Sequence, residues 1–137
     1  MDKCMVLVES WQMQCCGDPF NLRDTVDWLV KKWDSSWAFN ITLGMIDSIY
    51  EYHSSEWQKL FKITGKVTQI TALYCSFIPD PDDPKEIKQI RKYGEKYPVI
   101  NANGWEKNIG TQKFTDYIVW LENVIVAPAK ESEVTFK

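Results

Sequence analysis

Two adjacent cysteines, Cys15 and Cys16, have the most distinctive chemistry in this sequence. A thiolate is both a nucleophile and a metal ligand, and Gly17 directly after the pair allows a sharp backbone turn. Successive strand residues point to opposite faces, so both thiols reach one zinc ion only if the backbone breaks there. His53 and Cys75 would then complete four zinc ligands. The usual spacing of paired zinc cysteines is absent, so the competing interpretation is that Cys15 is a buried structural residue.

The single histidine limits nucleophilic catalysis. A cysteine–histidine pair would use His53 as the base and one of Cys15, Cys16 or Cys75 as the nucleophile. Phosphate-binding loops, dinucleotide-binding motifs and serine-hydrolase motifs are missing from the sequence. A thiol-dependent enzyme is therefore a second alternative behind the zinc protein, and no catalytic residue is assigned.

The seven Trp, six Tyr and six Phe residues suggest a different kind of site. Large rings favour strands, and an exposed ring can stack against a planar ligand. Trp11, Trp28 and Trp120 lie inside predicted strands and are expected in the core. A non-enzymatic ligand-binding or protein-interaction module is the leading hypothesis. The candidate ligand-binding residues are the tryptophans of loop-like segments, Trp33, Trp37, Trp57 and Trp105.

Composition narrows the partners further. The 137 residues carry a net charge of −3, which disfavours nucleic acid and anionic membranes as partners. No apolar run approaches the roughly 18–20 residues of a membrane span. The hydrophobic stretch near the first residues is too short for a signal peptide. Four cysteines in that context predict reduced thiols or metal ligands. We expect a cytoplasmic protein that binds a small molecule or another protein, with no cofactor unless zinc is bound.

Alternating apolar residues predict most of the secondary structure. One slip in this alternation, between Val67 and Ile70 and close to Gly65, predicts a bulge or bend of the kind that curls a sheet. Three- and four-residue spacing predicts an amphipathic helix over 42–52, and Pro84 favours a second short helix that ends at Gly94. The predicted strands are 5–16, 25–33, 61–78, 97–100 and 114–127.

Together these elements predict a mainly β fold. The leading architecture is a small curled or partly open β-barrel of about five strands with one or two short helices. The alternative is an α+β fold in which helix 42–52 covers one face of an antiparallel sheet. Residues 1–129 are expected to form a single globular domain, followed by a polar tail at 130–137.

One stretch resembles a known family. Residues 11–20 read Trp-Gln-Met-Gln-Cys-Cys-Gly-Asp-Pro-Phe, and Asp24-Thr25-Val26-Asp27-Trp28 follows shortly after. This is similar to the opening of a family of small uncharacterised bacterial proteins with a Trp-Gln-Met-Gln-Cys-Cys-Gly signature. Arg23 stands where we would expect a glycine. The resemblance implies a bacterial, cytoplasmic protein, and it supplies no activity or catalytic residue.

Overall fold

Strands dominate the part of the chain that the computed structural model describes, namely residues 3–15, 17–32, 48–51, 57–79, 89–130 and 132. Two short helical segments accompany them, α1 (Ser10–Cys15) and a single 3-10 turn (Trp57–Lys59). The strands are β1 (Lys3–Glu9), β2 (Phe20–Asn21), β3 (Thr25–Lys32), β4 (Ser48–Tyr50), β5 (Phe61–Pro79), β6 (Gln89–Val99), β7 (Asn101–Ala102) and β8 (Lys113–Pro128).

Five of these strands close into a ring. The main sheet has the order β3-β4-β1-β8-β5-β6, and an additional pairing of β3 with β5 closes its first five strands into the ring. Only β1 and β4 run parallel, while the other neighbours are antiparallel. β6 pairs with β5 outside the ring, and β2 and β7 form a separate two-stranded pair. The mainly β fold of about five curled strands is therefore confirmed.

The long strand β5 makes the closure possible. One edge pairs with β8, and its other edge pairs first with β3 (residues 61–66) and then with β6 (residues 70–79). Its register against β8 shifts between Thr64 and Lys66 and again between Val67 and Gln69. Such bulges bend a strand and increase its twist, so β5 can leave one neighbour and meet another. The predicted bulge in this segment is confirmed.

The ring interior is filled by alternate residues of all five strands. Trp28 is 5% exposed and packs edge-on against Phe20 and Tyr50, with ring centroids 4.9 and 5.3 Å apart. Burying one large apolar side chain contributes about 1.5–3 kcal/mol to stability. The interior also holds Val6 and Val67, both fully buried. The expectation that Trp28 belongs to the core is confirmed.

The first predicted strand was too long. β1 ends at Glu9, and Ser10–Cys15 forms a helix. Within that helix, Gln12 and Met13 are buried while Trp11 is 42% exposed, so the burial pattern is not the alternation of a strand. Met13 belongs to the interior cluster, and this contact favours the helix over continued strand. The prediction that Trp11 lies in the core is wrong.

The first predicted helix also fails where the structure describes it. Ser48–Tyr50 of the proposed helix 42–52 forms β4, which pairs in parallel with β1 and antiparallel with β3. Residues 42–47 and 52 of that prediction lie outside the described residues. The α+β alternative that depended on this helix therefore loses its basis.

The second predicted helix is replaced by a strand. Residues 89–99 form β6 along the edge of β5, where ladder hydrogen bonds outweigh a weak helical pattern. Gly94 was interpreted as a helix end, and it lies instead opposite a register irregularity of β5. Residues 80–88 lie outside the described part. The single-domain prediction stays untested, and only Lys130 and Ser132 of the predicted tail are described.

Candidate functional site

The outer face of four neighbouring strands forms a regular array of side chains. In antiparallel pairing, directly opposed residues point to the same face of the sheet. Met5 of β1 therefore lies beside Trp120 of β8 and Gln69 of β5. The next row on this face contains Leu7, Ile118, Thr71 and Pro98, and the row after it contains Glu9, Asp116, Leu73 and Lys96.

A groove of about 320 Å³ opens on this outer face. Its volume lies at the lower end of the range for small-molecule sites, about 300–1,000 Å³. The lining combines a large ring with apolar, polar and basic side chains, which is the mixture that orients a small ligand. The lining residues are Met5, Gln69, Thr71, Lys96, Pro98, Ile118 and Trp120.

The floor and the rim of the groove differ in character. Met5 and Ile118 are each 4% exposed and belong to the outer apolar cluster, against which the half-buried Trp120 packs. Gln69 and Lys96 are exposed and place an amide and an ammonium group at the rim. An indole with one accessible side, supported from below, is suited to stacking with a planar ligand.

Buried polar groups lie next to the groove. Asp116 is fully buried and accepts hydrogen bonds from the Tyr93 hydroxyl at 2.8 Å and the Thr115 hydroxyl at 2.7 Å. The Cys75 thiol in turn donates to the Thr115 hydroxyl at 3.6 Å. Glu9, 8% exposed, is directly opposite Asp116 in the β1–β8 register. Because Tyr93 belongs to β6, its hydrogen bond fastens β6 to the ring strand β8.

The helix α1 is held at one end of the ring by its glutamines. Gln12 is 2% exposed and donates to the carboxylate of Glu51, which also pairs with Lys31 at 3.2 Å. Gln14 donates to the carbonyl of Gly104 at 2.7 Å. Gly104 has a φ of +86°, and a side chain there would meet the Cβ of Met13 at 2.9 Å. These contacts give the two glutamines positions in the framework of the fold.

The loop after β7 is fastened to the core through Tyr117. Its hydroxyl accepts a hydrogen bond from the Gly104 N–H at 3.1 Å and donates to the Glu106 carboxylate at 2.8 Å. Burial raises the pKa of Tyr117 above its ordinary value, and the hydrogen bond to Glu106 adds to this increase. The neighbouring Trp105 is 66% exposed on this anchored loop.

The residues after Cys16 line a second, smaller cavity of about 230 Å³. Three carboxylates contribute to its lining, but Asp24 accepts the Asn21 N–H at 2.8 Å and Asp27 pairs with Lys62 at 3.5 Å. Asp24 and Asp27 therefore have structural partners in a turn and in an ion pair between strands. The cavity is lined by Gly17, Asp18, Pro19, Phe20, Asp24, Thr25, Val26, Asp27, Trp28 and Tyr50.

Comparison with known families identifies the family of this chain. The model of a family of unknown function, DUF6578, matches residues 2–123. The chain belongs to this family. The DUF6578 match includes every residue that lines either cavity. No curated protein and no solved structure matches the chain. Membership of a family of unknown function was predicted from the sequence and is confirmed.

The cysteines of the proposed zinc site are only partly described. Cys15, the last residue of α1, is exposed and disulfide-bonded. Cys75 lies buried on β5 and is not in a disulfide. Cys16 and His53 lie outside the described residues, and within the described ranges no group of three or more potential ligands could hold a metal ion. A disulfide sulfur is not a thiolate, so zinc binding through Cys15 requires reduction first.

The candidate tryptophans are also described unevenly. Trp105 is exposed as expected, whereas Trp33 and Trp37 lie outside the described residues and the side chain of Trp57 is likewise not described. Trp120 was expected in the core and is half-buried in the groove. Glu122, two residues after Trp120 on β8, is one signal that could have indicated a polar outer face.

In the described ranges, no helix has the length and apolar character needed to cross a membrane.

Proposed function

We propose that this protein is a non-enzymatic binding module that holds a small planar ligand in the groove beside Trp120. The observation that carries the proposal is the combination of a groove of about 320 Å³ with a half-buried indole and a rim of polar groups. Small closed sheets commonly bind ligands on one face, with aromatic side chains as stacking platforms. The aromatic-rich sequence and the groove support the same class of function.

The support under Trp120 favours binding without large rearrangement. Met5 lies directly opposite Trp120 on β1, and Ile118 lies two residues before Trp120 on β8. Both side chains are buried. Side chains fixed on paired strands lose little further freedom when a ligand binds. A rigid platform of this kind gives affinity through stacking and burial of apolar area.

The lining chemistry favours binding over catalysis. The seven lining residues that the structure describes include no cysteine, serine, histidine or carboxylate that could act as a nucleophile or as a general base. The adjacent Asp116 is fully buried and accepts hydrogen bonds from Tyr93 and Thr115. Its observed contacts suit a role in fastening strands together.

A panel of small planar compounds tests the proposal by isothermal titration calorimetry. We expect saturable binding of at least one compound, weakened tenfold or more by Trp120→Leu. Trp105→Leu is the matched control, because that ring is exposed on a loop and lines no part of the groove. If no compound binds, or if Trp105→Leu removes binding and Trp120→Leu does not, the groove is not the site.

A protein partner is the second candidate, favoured by the exposed rings of Trp11 and Trp105. The hydrogen bond from Gln14 to Gly104 joins the helix that carries Trp11 to the loop that carries Trp105. Exposed tryptophans held in place are frequent anchors of protein interfaces. Sedimentation velocity over a hundredfold concentration range tests self-association, which Trp105→Ser should reduce; a monomer at all concentrations contradicts this form of the candidate.

The zinc-binding protein and the thiol-dependent enzyme stay predictions of the sequence. Elemental analysis of protein purified without added metal decides the first, and absence of stoichiometric zinc contradicts it. Rapid alkylation near neutral pH is the expected mark of the second. A bacterial origin and a cytoplasmic location are proposals that rest on the sequence resemblance and on composition.

A further inference from the structure

We infer that the groove takes a small aromatic carboxylate, with its ring against Trp120 and its carboxylate at the ammonium group of Lys96. This inference rests on the proposed binding function and adds the chemical class of the ligand. It follows from the charge of the lining, from the positions of the two residues across the sheet, and from the contacts of the neighbouring acids.

Among the residues that the structure describes, the groove lining carries a single ionisable side chain. Of the seven lining residues, only Lys96 is charged, and it is exposed at the rim. Gln69 and Thr71 add an amide and a hydroxyl that can donate hydrogen bonds to the same ligand. One positive charge together with two neutral hydrogen-bond donors favours an anionic ligand group over a neutral or cationic one.

The strand register sets the size of the ligand. Trp120 on β8 is opposite Gln69 of β5, and Lys96 on β6 is opposite Leu73 of β5. Neighbouring strands lie about 4.7–4.9 Å apart, so β8 and β6 are separated by about 9–10 Å across β5, and the four-residue step from Gln69 to Leu73 adds about 13 Å along the strands. The indole and the flexible lysine side chain both reach the groove from these positions, and the space left between them suits a single aromatic ring with a directly attached carboxylate.

The two buried acids in the same register row as Lys96, Glu9 and Asp116, lie outside the described groove lining. Asp116 is fully buried and accepts hydrogen bonds from Tyr93 and Thr115, and it does not line the groove. Glu9 is 8% exposed and is likewise outside the lining. Among the described lining residues, the charged group that a ligand contacts directly is therefore the Lys96 ammonium.

Benzoate, benzamide and benzamidine test the inference, because they share one ring and a similar shape while their charges are negative, neutral and positive. By titration calorimetry at low salt, we expect benzoate to bind at least fivefold more tightly than benzamide, and benzamidine to bind most weakly. Lys96→Gln should bring benzoate to within twofold of benzamide. Lys92→Gln, also an exposed lysine of β6 but not in the groove, should leave the preference unchanged.

The outcomes separate the inference from the proposed function. If all three compounds bind equally and Trp120→Leu weakens all of them, the site stands and the carboxylate class is wrong. If Lys96→Gln keeps the preference for benzoate, the assigned ammonium is wrong and the inference is overturned. If none of the three binds while other planar compounds bind through Trp120, the assignment of an aromatic carboxylate is wrong and the proposed binding site still stands. Circular dichroism and thermal unfolding of each variant confirm that folding is intact.

Discussion

A single backbone angle shows how the residues of the turn before β3 are constrained. Arg23 has a φ of +76°, in the left-handed region that favours glycine. Its N–H donates to the Val67 carbonyl at 2.8 Å, and the Val67 N–H donates to the Asp24 carbonyl at 2.8 Å, so the turn is fixed to β5. The family resemblance led us to expect a glycine at this position, and the backbone retains the conformation that a glycine would favour.

Replacing Arg23 with glycine should stabilise the protein. The left-handed conformation costs a non-glycine residue about 1–2 kcal/mol, and the greater flexibility of glycine in the unfolded chain offsets about 0.5–1 kcal/mol. We therefore expect Arg23→Gly to raise the free energy of unfolding by about 0.5–1 kcal/mol in urea titrations. Arg23→Ala keeps the strain and should give no gain; equal stabilisation by both variants would contradict the account.

The cysteines should differ sharply in reactivity. Cys4 is 7% exposed and Cys75 is fully buried, while Cys15 is exposed and disulfide-bonded. Access and thiolate formation both control alkylation. With iodoacetamide under native conditions, we expect no label on Cys4 or Cys75, and label on Cys15 only after reduction. Peptide mass spectrometry reads out the result, and labelling of Cys15 without a reductant would exclude its disulfide.

At the scale of elements, hydrogen bonding decides how firmly β6 is attached. The strand lies outside the closed ring and supplies two groove residues, Lys96 and Pro98. The Tyr93 hydroxyl donates to the buried Asp116, which links β6 to β8 across β5. The geometry of the groove therefore depends on a polar contact that lies beneath the surface.

Removing that hydroxyl should cost stability. Tyr93→Phe leaves Asp116 with one donor fewer, and loss of one partner of a buried polar group costs about 1–3 kcal/mol. Tyr97→Phe is a close control, since Tyr97 on the same strand donates to the Glu95 carboxylate at 2.9 Å but is 43% exposed. We expect a clearly smaller loss for that change, because the contact is open to solvent. Equal losses in chemical denaturation would mean that burial does not strengthen the Tyr93 contact.

The strands with long alternating patterns could be predicted from sequence, and the short elements could not. Three strands were located to within about one residue at each described end, because their apolar residues alternate over many positions or, in the last strand, form a near-continuous run; they are 25–32, 61–79 and 113–128. Helix α1 follows β1 without a break in the alternation. Its existence depends on the burial of Met13 and on the hydrogen bond of Gln12 to Glu51, a residue 39 positions away.

The sequence predicted the kind of candidate site, an aromatic stacking platform, but not its position. An excess of aromatic residues indicated a stacking platform, but alternation alone placed Trp120 in the core. It became a groove residue because β1, β5 and β8 present one outer face on which Met5, Trp120 and Gln69 are aligned. That alignment is a product of register between distant strands, and a single sequence does not encode it in any local pattern.

At the scale of the whole molecule, stability should depend on high pH through Tyr117. Burial raises the pKa of this hydroxyl in the folded state, so the unfolded chain loses the proton first as the pH rises. The contribution is fully present below about pH 10 and is lost progressively above it. We expect the free energy of unfolding to fall from pH 10 upward, and Tyr117→Phe to make that fall shallower while lowering stability at neutral pH. An unchanged slope would contradict the role of this group.

The same strands build both the ring interior and the outer face of the sheet. Alternate residues of the same strands fill the interior and build the groove outside, so β1, β5 and β8 contribute both to the core and to the proposed binding site. Binding in the groove is the central claim. Titration of benzoate into ¹⁵N-labelled protein, followed through the indole N–H signals and assigned with Trp120→Phe, tests it most directly. The account predicts a saturable shift of the Trp120 signal with the Trp105 signal unmoved; a stationary Trp120 signal, at concentrations that shift another indole, would contradict it.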